Sequence, residues 1–379
     1  MKIIIIGTAH PYRGGLATFN ERMALQYVSE GHQVEMITFT LQYPSFLFPG
    51  KTQFTSDPKP DNISIQRKIN AINPFNWLKV GKEIRNKKAD LVIFCYWMSF
   101  MSPCFGTLAR QIRKNKKSKL IALVHNMIPH ESSLIDKILP PYFVNQMDAF
   151  ISLSESVIND INKFDKQNKP KTFTPHPIYD HYGDRLSRET ALEILGLSTE
   201  FRYLLFFGFI RPYKGLDLLL DAFADNRLRK FNTKLIVAGE FYEDETLYRQ
   251  KIKDLQLEPW IELHTDFIPN NKVNAYFSAC DIVTQPYKTA TQSGVTQIAF
   301  HFDKAMLVTK VGGLAEIVPH GLIGYAVDPQ VNDIANALYD FFEHNRQESF
   351  EKNVINEKSK YAWNKLTAQI NSLYNNIKP

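Results

Sequence analysis

The chain has 379 residues, 44% of them hydrophobic and 22% charged, with a formal net charge of +6, the profile of a globular protein of two domains rather than a disordered or fibrous one. No stretch approaches the roughly 20 apolar residues of a membrane helix, and the run Met1 to Gly7 is too short for a signal-peptide core. Cys95, Cys104 and Cys280 are spaced for neither a zinc site nor a disulfide framework, so the expected location is cytoplasmic, with peripheral attachment at the inner face of the cytoplasmic membrane left open.

In chain order, Ile3 to Gly7 reads as a strand. Leu16, Phe19, Met23 and Tyr27 then recur at helical spacing, and Gly31 closes that helix before Val34 to Phe39 resumes a strand. Gly14 and Gly15 occupy the turn of this βαβ unit. Gln42 to Asn62 carries four prolines and reads as a long loop. Strands follow at Leu91 to Tyr96, Leu120 to His125 and Ala149 to Leu153, separated by helical patterns, so a mostly parallel sheet is expected. Pro175, Pro177 and Gly183 mark a linker within Phe173 to Asp184. Beyond it the alternation repeats, with strands at Tyr203 to Phe207, Leu235 to Ala238, Ile261 to Leu263, Ile282 to Gln285 and Met306 to Thr309. Trp363, Leu366, Ile370, Leu373 and Ile377 form one apolar face of a terminal helix.

Charge is distributed unevenly. Residues 1–180 carry 23 lysines and arginines against 14 acidic residues, and the remainder carries 22 against 25. The basic concentrations are Lys79 to Lys88 and Arg110 to Lys119. Either they are solvated helix faces, or they attract an anionic membrane surface. No helix-turn-helix, zinc or RNA-binding motif accompanies them, so nucleic acid is not an expected partner.

The segment Gly208-Phe209-Ile210-Arg211-Pro212-Tyr213-Lys214-Gly215 joins an apolar strand to a helix in which Leu216, Leu219, Leu220 and Phe223 share a face. Open α/β sheets bind ligands beyond the carboxyl ends of their strands, where amides already favour anions. Arg211 offers a planar fork and Lys214 a mobile point charge, a pair suited to a diphosphate. A basic surface turn is the alternative for R-x-x-K alone.

Together with Gly14-Gly15-Leu16-Ala17, Val124-His125-Asn126, Leu235 to Gly239 and Val311-Gly312-Gly313-Leu314-Ala315-Glu316, this segment resembles the retaining nucleotide-sugar glycosyltransferases of family 4, also called glycosyl transferases group 1. The resemblance covers essentially the whole chain. It implies the α/β GT-B fold, two Rossmann-like βαβ domains facing each other across a cleft, with a C-terminal helix crossing back. The acceptor-binding domain is then 1–180 with helix 360–379, and the nucleotide-sugar domain 181–359.

The resemblance implies roles by position. His125 lies beside the donor sugar, a core histidine being the alternative. Arg211 and Lys214 neutralise the donor diphosphate as the glycosidic bond breaks, with no metal and no cofactor. Gly14 and Gly15 bring backbone amides to a phosphate or sugar ring, a plain tight turn being the alternative. Glu316 completes the matching positions that bind substrate. The family's two glutamates, eight positions apart after the strand ending at Gln285, are missing. Lys288 to Phe300 contains no acidic residue, and Thr291, Gln292, Ser293 and Gly294 offer neutral hydrogen bonds instead.

The expected activity is therefore a retaining transfer of a hexose from a nucleoside diphosphate sugar to an acceptor hydroxyl, in surface polysaccharide or glycolipid synthesis. The partners are a nucleotide sugar, a saccharide or lipid-linked acceptor, and an anionic membrane surface. Trp77, Trp97, Phe100 and Phe105 are either acceptor contacts or core. Two other readings stay open: a glycan-binding or scaffolding protein without activity, which the missing glutamates favour, and a nucleotide-sugar hydrolase or epimerase, which would form product without any acceptor.

Overall fold

The computed structural model describes residues 1–43, 53–55, 58–128, 135–290 and 293–377. The chain divides into two compact units, the first made of Met1–Pro177 with Ala362–Pro379 and the second of Ile178–Tyr361. The terminal helix thus belongs to the first unit.

The first unit is built on seven parallel strands: β1 (Lys2–Ile6), β2 (Gln33–Leu41), β3 (Ser64–Asn70), β4 (Leu91–Tyr96), β5 (Lys119–Val124), β6 (Ala149–Ser152) and β7 (Lys171–Phe173). Their order is β3-β2-β1-β4-β5-β6-β7. Ile3 to Ile6 and Leu91 to Tyr96 are fully buried, as strands covered on both faces must be. Helix α1 (Gly15–Ser29) buries Phe19, Met23 and Tyr27. Helix α2 (Pro74–Lys87) packs on α3 (Ser102–Ile112), with Gly81 set directly against Leu108 and Gln111.

The sequence pattern did not announce β3 and β7. β3 alternates SIQRKIN as an edge strand, where Ile65 and Ile69 turn inward and the Arg67 guanidinium reaches the carbonyl oxygens of Phe39 and Thr40. β7 has only three residues.

The helix Trp363–Asn376 buries Trp363, Leu366, Ile370 and Leu373. Trp363 packs on Phe19 with ring centroids 5.0 Å apart, and the Lys119 ammonium donates to the carbonyl oxygens of Tyr374 and Ile377. Phe105 is fully buried, and Trp77, Trp97 and Phe100 pack against the same core. Among the alternatives for these four aromatics, core packing is what the structure gives. All three cysteines are buried and free.

The second unit has six parallel strands: β8 (Arg202–Phe207), β9 (Thr233–Ala238), β10 (Ile261–His264), β11 (Ile282–Gln285), β12 (Ala305–Thr309) and β13 (Gly324–Val327). They run in the order β10-β9-β8-β11-β12-β13. The last strand was not anticipated, since it starts at a glycine with φ +156 packed against the backbone of Met306. In both sheets the order reverses beside the first strand, between β1 and β4 and between β8 and β11, and this switch point is where doubly wound sheets leave room for a ligand.

Candidate functional site

In the second unit, the two segments that leave the sheet at its switch point carry most of the predicted ligand residues. Gly208 to Gly215 follows β8, and Pro286 to Gly294 follows β11. They touch: a Cβ added to Gly215 would lie 2.0 Å from the Pro286 carbonyl oxygen, and Gly215 also holds φ +69. Only glycine meets both demands, so the loop after β8 closes tightly onto the loop after β11.

The structure corrects the expectation that Lys214 is a mobile point charge. Its residue is 9% exposed, and its ammonium sits 5.8 Å from the centroid of the Tyr287 ring and 3.1 Å from where a Gly208 Cβ would stand. Burial, with the Arg211 charge adding to it, pushes the lysine down to about 8. Among the described residues no carboxylate lies within ion-pairing distance of it. Arg211 is half-buried, with its guanidinium 4.9 Å from the centroid of Tyr242, which in turn packs on Phe209 at 4.4 Å.

The neighbouring surface is polar and enclosed. Ser293 caps the helix Gly294–His301 by accepting from the Val295 amide, and its hydroxyl lies 3.1 Å from the Tyr287 hydroxyl. Thr309 at the end of β12 donates to the Tyr287 carbonyl at 2.5 Å. Thr296 donates to the Gln285 side chain at 2.9 Å. Gln297, one residue on, is fully buried, and neither its amide oxygen nor its amide nitrogen has a hydrogen-bond partner among the described residues. Such a pair of orphaned polar atoms is costly and rare. Sequence reasoning passed over both Tyr287 and Gln297. At helical spacing Gln297 neighbours Gly294, Phe300 and His301, so the sequence offers no pattern that sets its amide apart.

Glu316 is exposed on the short helix Leu314–Ile317 that follows β12, at the same carboxyl end of the sheet. Thr291 and Gln292 lie outside the described residues.

Gly14, Gly15 and His125 belong to the first unit. Gly14 holds φ +106 as the N-cap of α1, with open space where a Cβ would be, and Gly15 begins the helix; both are exposed. One turn further, Phe19 meets the His125 ring edge-on at 4.9 Å and the His176 ring at 5.0 Å. This contact brings the glycine turn and His125 to one end of the sheet. His125 follows β5, its amide donating to the Tyr96 carbonyl at 2.8 Å. Burial, reinforced by His176, pushes His125 down to about 3, and burial pushes His176 down to about 4. The His125 ring is therefore neutral, and its Nε2 is enclosed without a partner among the described residues.

Two doubly wound parallel sheets of this size recur together in known structures of the GT-B class. The chain superposes on sucrose-phosphate synthase from Thermosynechococcus elongatus with a TM-score of 0.74 at 15% identity, covering 99% of this chain and 98% of that one. It superposes on Anabaena HepE in complex with UDP with a TM-score of 0.72 at 15% identity, covering 98% and 99%. The molecule is thus a GT-B protein. Residues 187–360 match the model of the glycosyl transferases group 1, and residues 13–181 match that of glycosyltransferase family 4. The chain belongs to this family of glycosyltransferases. Among curated relatives, the lipopolysaccharide 1,2-N-acetylglucosaminetransferase of Salmonella typhimurium is 28% identical over 68% of this chain and 67% of its own length. The D-inositol 3-phosphate glycosyltransferase of Corynebacterium glutamicum is 22% identical over 76% and 72%.

Proposed function

We propose that this glycosyltransferase moves a hexose, with retention at the anomeric carbon, from a nucleoside diphosphate sugar to a hydroxyl of a saccharide or lipid-linked saccharide in surface-glycan synthesis. The observation that carries the proposal is Lys214. A buried ammonium without a carboxylate partner among the described residues, beside a guanidinium and next to the switch point of an α/β sheet, is a site built for an anion. A donor diphosphate supplies that anion.

In this reading Arg211 and Lys214 bind the diphosphate and stabilise the charge that grows on it as the glycosidic bond breaks, a preorganised electrostatic role that assigns no metal. Ser293, Gly294 and Gln297 meet donor hydroxyls, with the Gln297 amide taking the place of a carboxylate. The neutral His125 serves as a hydrogen-bonding group rather than an acid. Because Lys288 to Phe300 offers no carboxylate nucleophile, departure and attack occur on one face and the leaving phosphate accepts the acceptor's proton. Gly14 and Gly15 supply amides to the donor or acceptor. The Anabaena structural neighbour is described with UDP and with UDP-glucose, and the Salmonella relative by its transfer of N-acetylglucosamine, so UDP-glucose and nucleoside diphosphate donors of N-acetylglucosamine are the first to test.

A thermal-shift series across nucleoside diphosphate sugars identifies the donor, since a ligand at a hundred times its dissociation constant stabilises by about 2.7 kcal/mol. With that donor, Arg211→Ala/Lys214→Ala should lose about 3 kcal/mol of transition-state stabilisation per cation. Unchanged kcat/KM in the double variant refutes the assignment. Donor cleavage that proceeds at full rate without any acceptor would make the protein a hydrolase instead.

A further inference from the structure

Helix α2 turns an apolar and basic face outward, and hydrogen bonds from three side chains fix its first turn. Asn73 caps the helix by accepting from the amides of Phe75 and Asn76 at 3.0 and 3.2 Å. The Asn76 side chain accepts from the Asn70 amide at 2.8 Å and donates to the Lys68 carbonyl at 3.0 Å, and the Trp77 indole donates to the Asn70 carbonyl at 2.7 Å. Val80, Gly81 and Ile84 bury the inner side. With the first turn pinned in this way, Phe75 is directed outward and is 83% exposed, flanked by Ile72 at 49% and Leu78 at 46%.

Continuing along the same outer side at helical spacing, Lys79 and Lys82 are exposed. The basic surface extends past the helix end to Lys88 and, through the hydrogen bond from the Asn115 side chain to the Arg85 carbonyl, to the exposed Lys114 and Lys116. Among the described residues none of these five lysines is within ion-pairing distance of a carboxylate. The helix's single acidic residue, Glu83, is engaged by Lys68 at 2.7 Å.

We infer that this face of α2 docks the protein on an anionic phospholipid bilayer. Phe75 and Leu78 protrude from a convex helix, with Ile72 just ahead of its N-cap, rather than line a groove. A bilayer accepts protruding apolar side chains without a matching pocket, whereas a protein partner needs one. Its headgroup layer also supplies many negative charges to lysines that are spread over two elements. No helix among the described residues is long and apolar enough to cross a membrane, so the contact is interfacial. α2 begins at the carboxyl end of the first unit's sheet, which is the end that carries Gly14 and His125. The inference does not depend on the donor assignment, because vesicle binding requires no turnover.

Flotation of the full chain with vesicles of phosphatidylcholine containing about 30% phosphatidylglycerol, at about 0.05 M salt, tests it. The protein should float with these vesicles and stay behind with pure phosphatidylcholine. Phe75→Ser/Leu78→Ser and Lys79→Glu/Lys82→Glu should each lower the partition coefficient about tenfold or more, with melting temperatures unchanged since all four side chains face solvent. Failure of the parent protein to float overturns the inference. So does flotation of both variants at the level of the parent protein. If Phe75→Ser/Leu78→Ser instead turns a sedimenting dimer into a monomer while flotation persists, the face joins two copies and the bilayer assignment falls.

Discussion

Burial sets the protonation of Lys214 close to neutral pH, and this gives the proposed diphosphate site a pH dependence of definite sign. Its acid form is lost as pH rises through about 8, and a bound diphosphate, which favours the ammonium, must then restore the missing proton. Affinity for UDP, followed by calorimetry, should therefore hold below pH 8 and fall by up to about tenfold per pH unit above it. Lys214→Arg should flatten the profile, because a guanidinium stays charged throughout; an equally steep profile in that variant would remove Lys214 from the site. Gln297 makes a different test. Its two amide atoms are buried without a hydrogen-bond partner among the described residues, and an orphaned buried polar group costs about 1–3 kcal/mol. Gln297→Met keeps the volume and removes the orphans, so it should raise the stability of the free protein by about 1 kcal/mol in urea titrations while weakening donor binding. Loss of stability without loss of affinity would show that Gln297 is there for packing.

At the scale of elements, what was legible depends on whether a residue's environment is local. β1, β4 and β8 announce themselves because strands buried on both faces are continuous apolar runs, and Gly208 to Gly215 because cations beside glycines at a strand exit need only spacing to be seen. β3 hides its two inward isoleucines among Gln66, Arg67 and Lys68, and β13 opens on a glycine required by the Met306 backbone. Gln297 and Phe75 could not be ranked from sequence at all. One is interesting because the fold buries it and the other because the fold does not, and both outcomes are set by distant packing. The terminal helix was readable as amphipathic, but its importance follows from what it covers. Trp363, Leu366, Ile370 and Leu373 are buried in the first unit, at about 1.5–3 kcal/mol each. Deleting residues 362–379 therefore removes as much as a domain's whole margin of stability. The truncated chain should lose native-state protection of the β1 and β5 amides in hydrogen exchange while β8 and β11 keep theirs; retention of protection in β1 and β5 would mean that the helix is dispensable to the first unit.

For the molecule as a whole, the two units place their titrating groups differently, so acid should act on them unequally. The first unit buries His125 and His176 as neutral rings, at about 3 and about 4 against 6.5 for an unperturbed histidine. Below pH 6.5 the unfolded chain binds protons that the folded unit refuses, so stability falls as pH drops from 6.5 toward 4 and these two groups add nothing further below about 3. By pH 5 the penalty reaches about 2 kcal/mol per histidine. In the second unit His264 is lowered by partial burial as well, but less deeply, since it is half-buried and hydrogen-bonded to the Tyr276 hydroxyl at 2.8 Å. Carboxylates such as Asp165, held low by its hydrogen bonds to Lys171, Lys169 and Gln167 against the opposing effect of burial, act only below about pH 4. Between pH 7 and 5, hydrogen exchange corrected for its intrinsic rate should show β1 and β5 losing more protection than β8 and β11. His125→Gln/His176→Gln should abolish the difference. Equal losses in both units of the parent protein would mean that the two buried rings are not what couples its stability to pH.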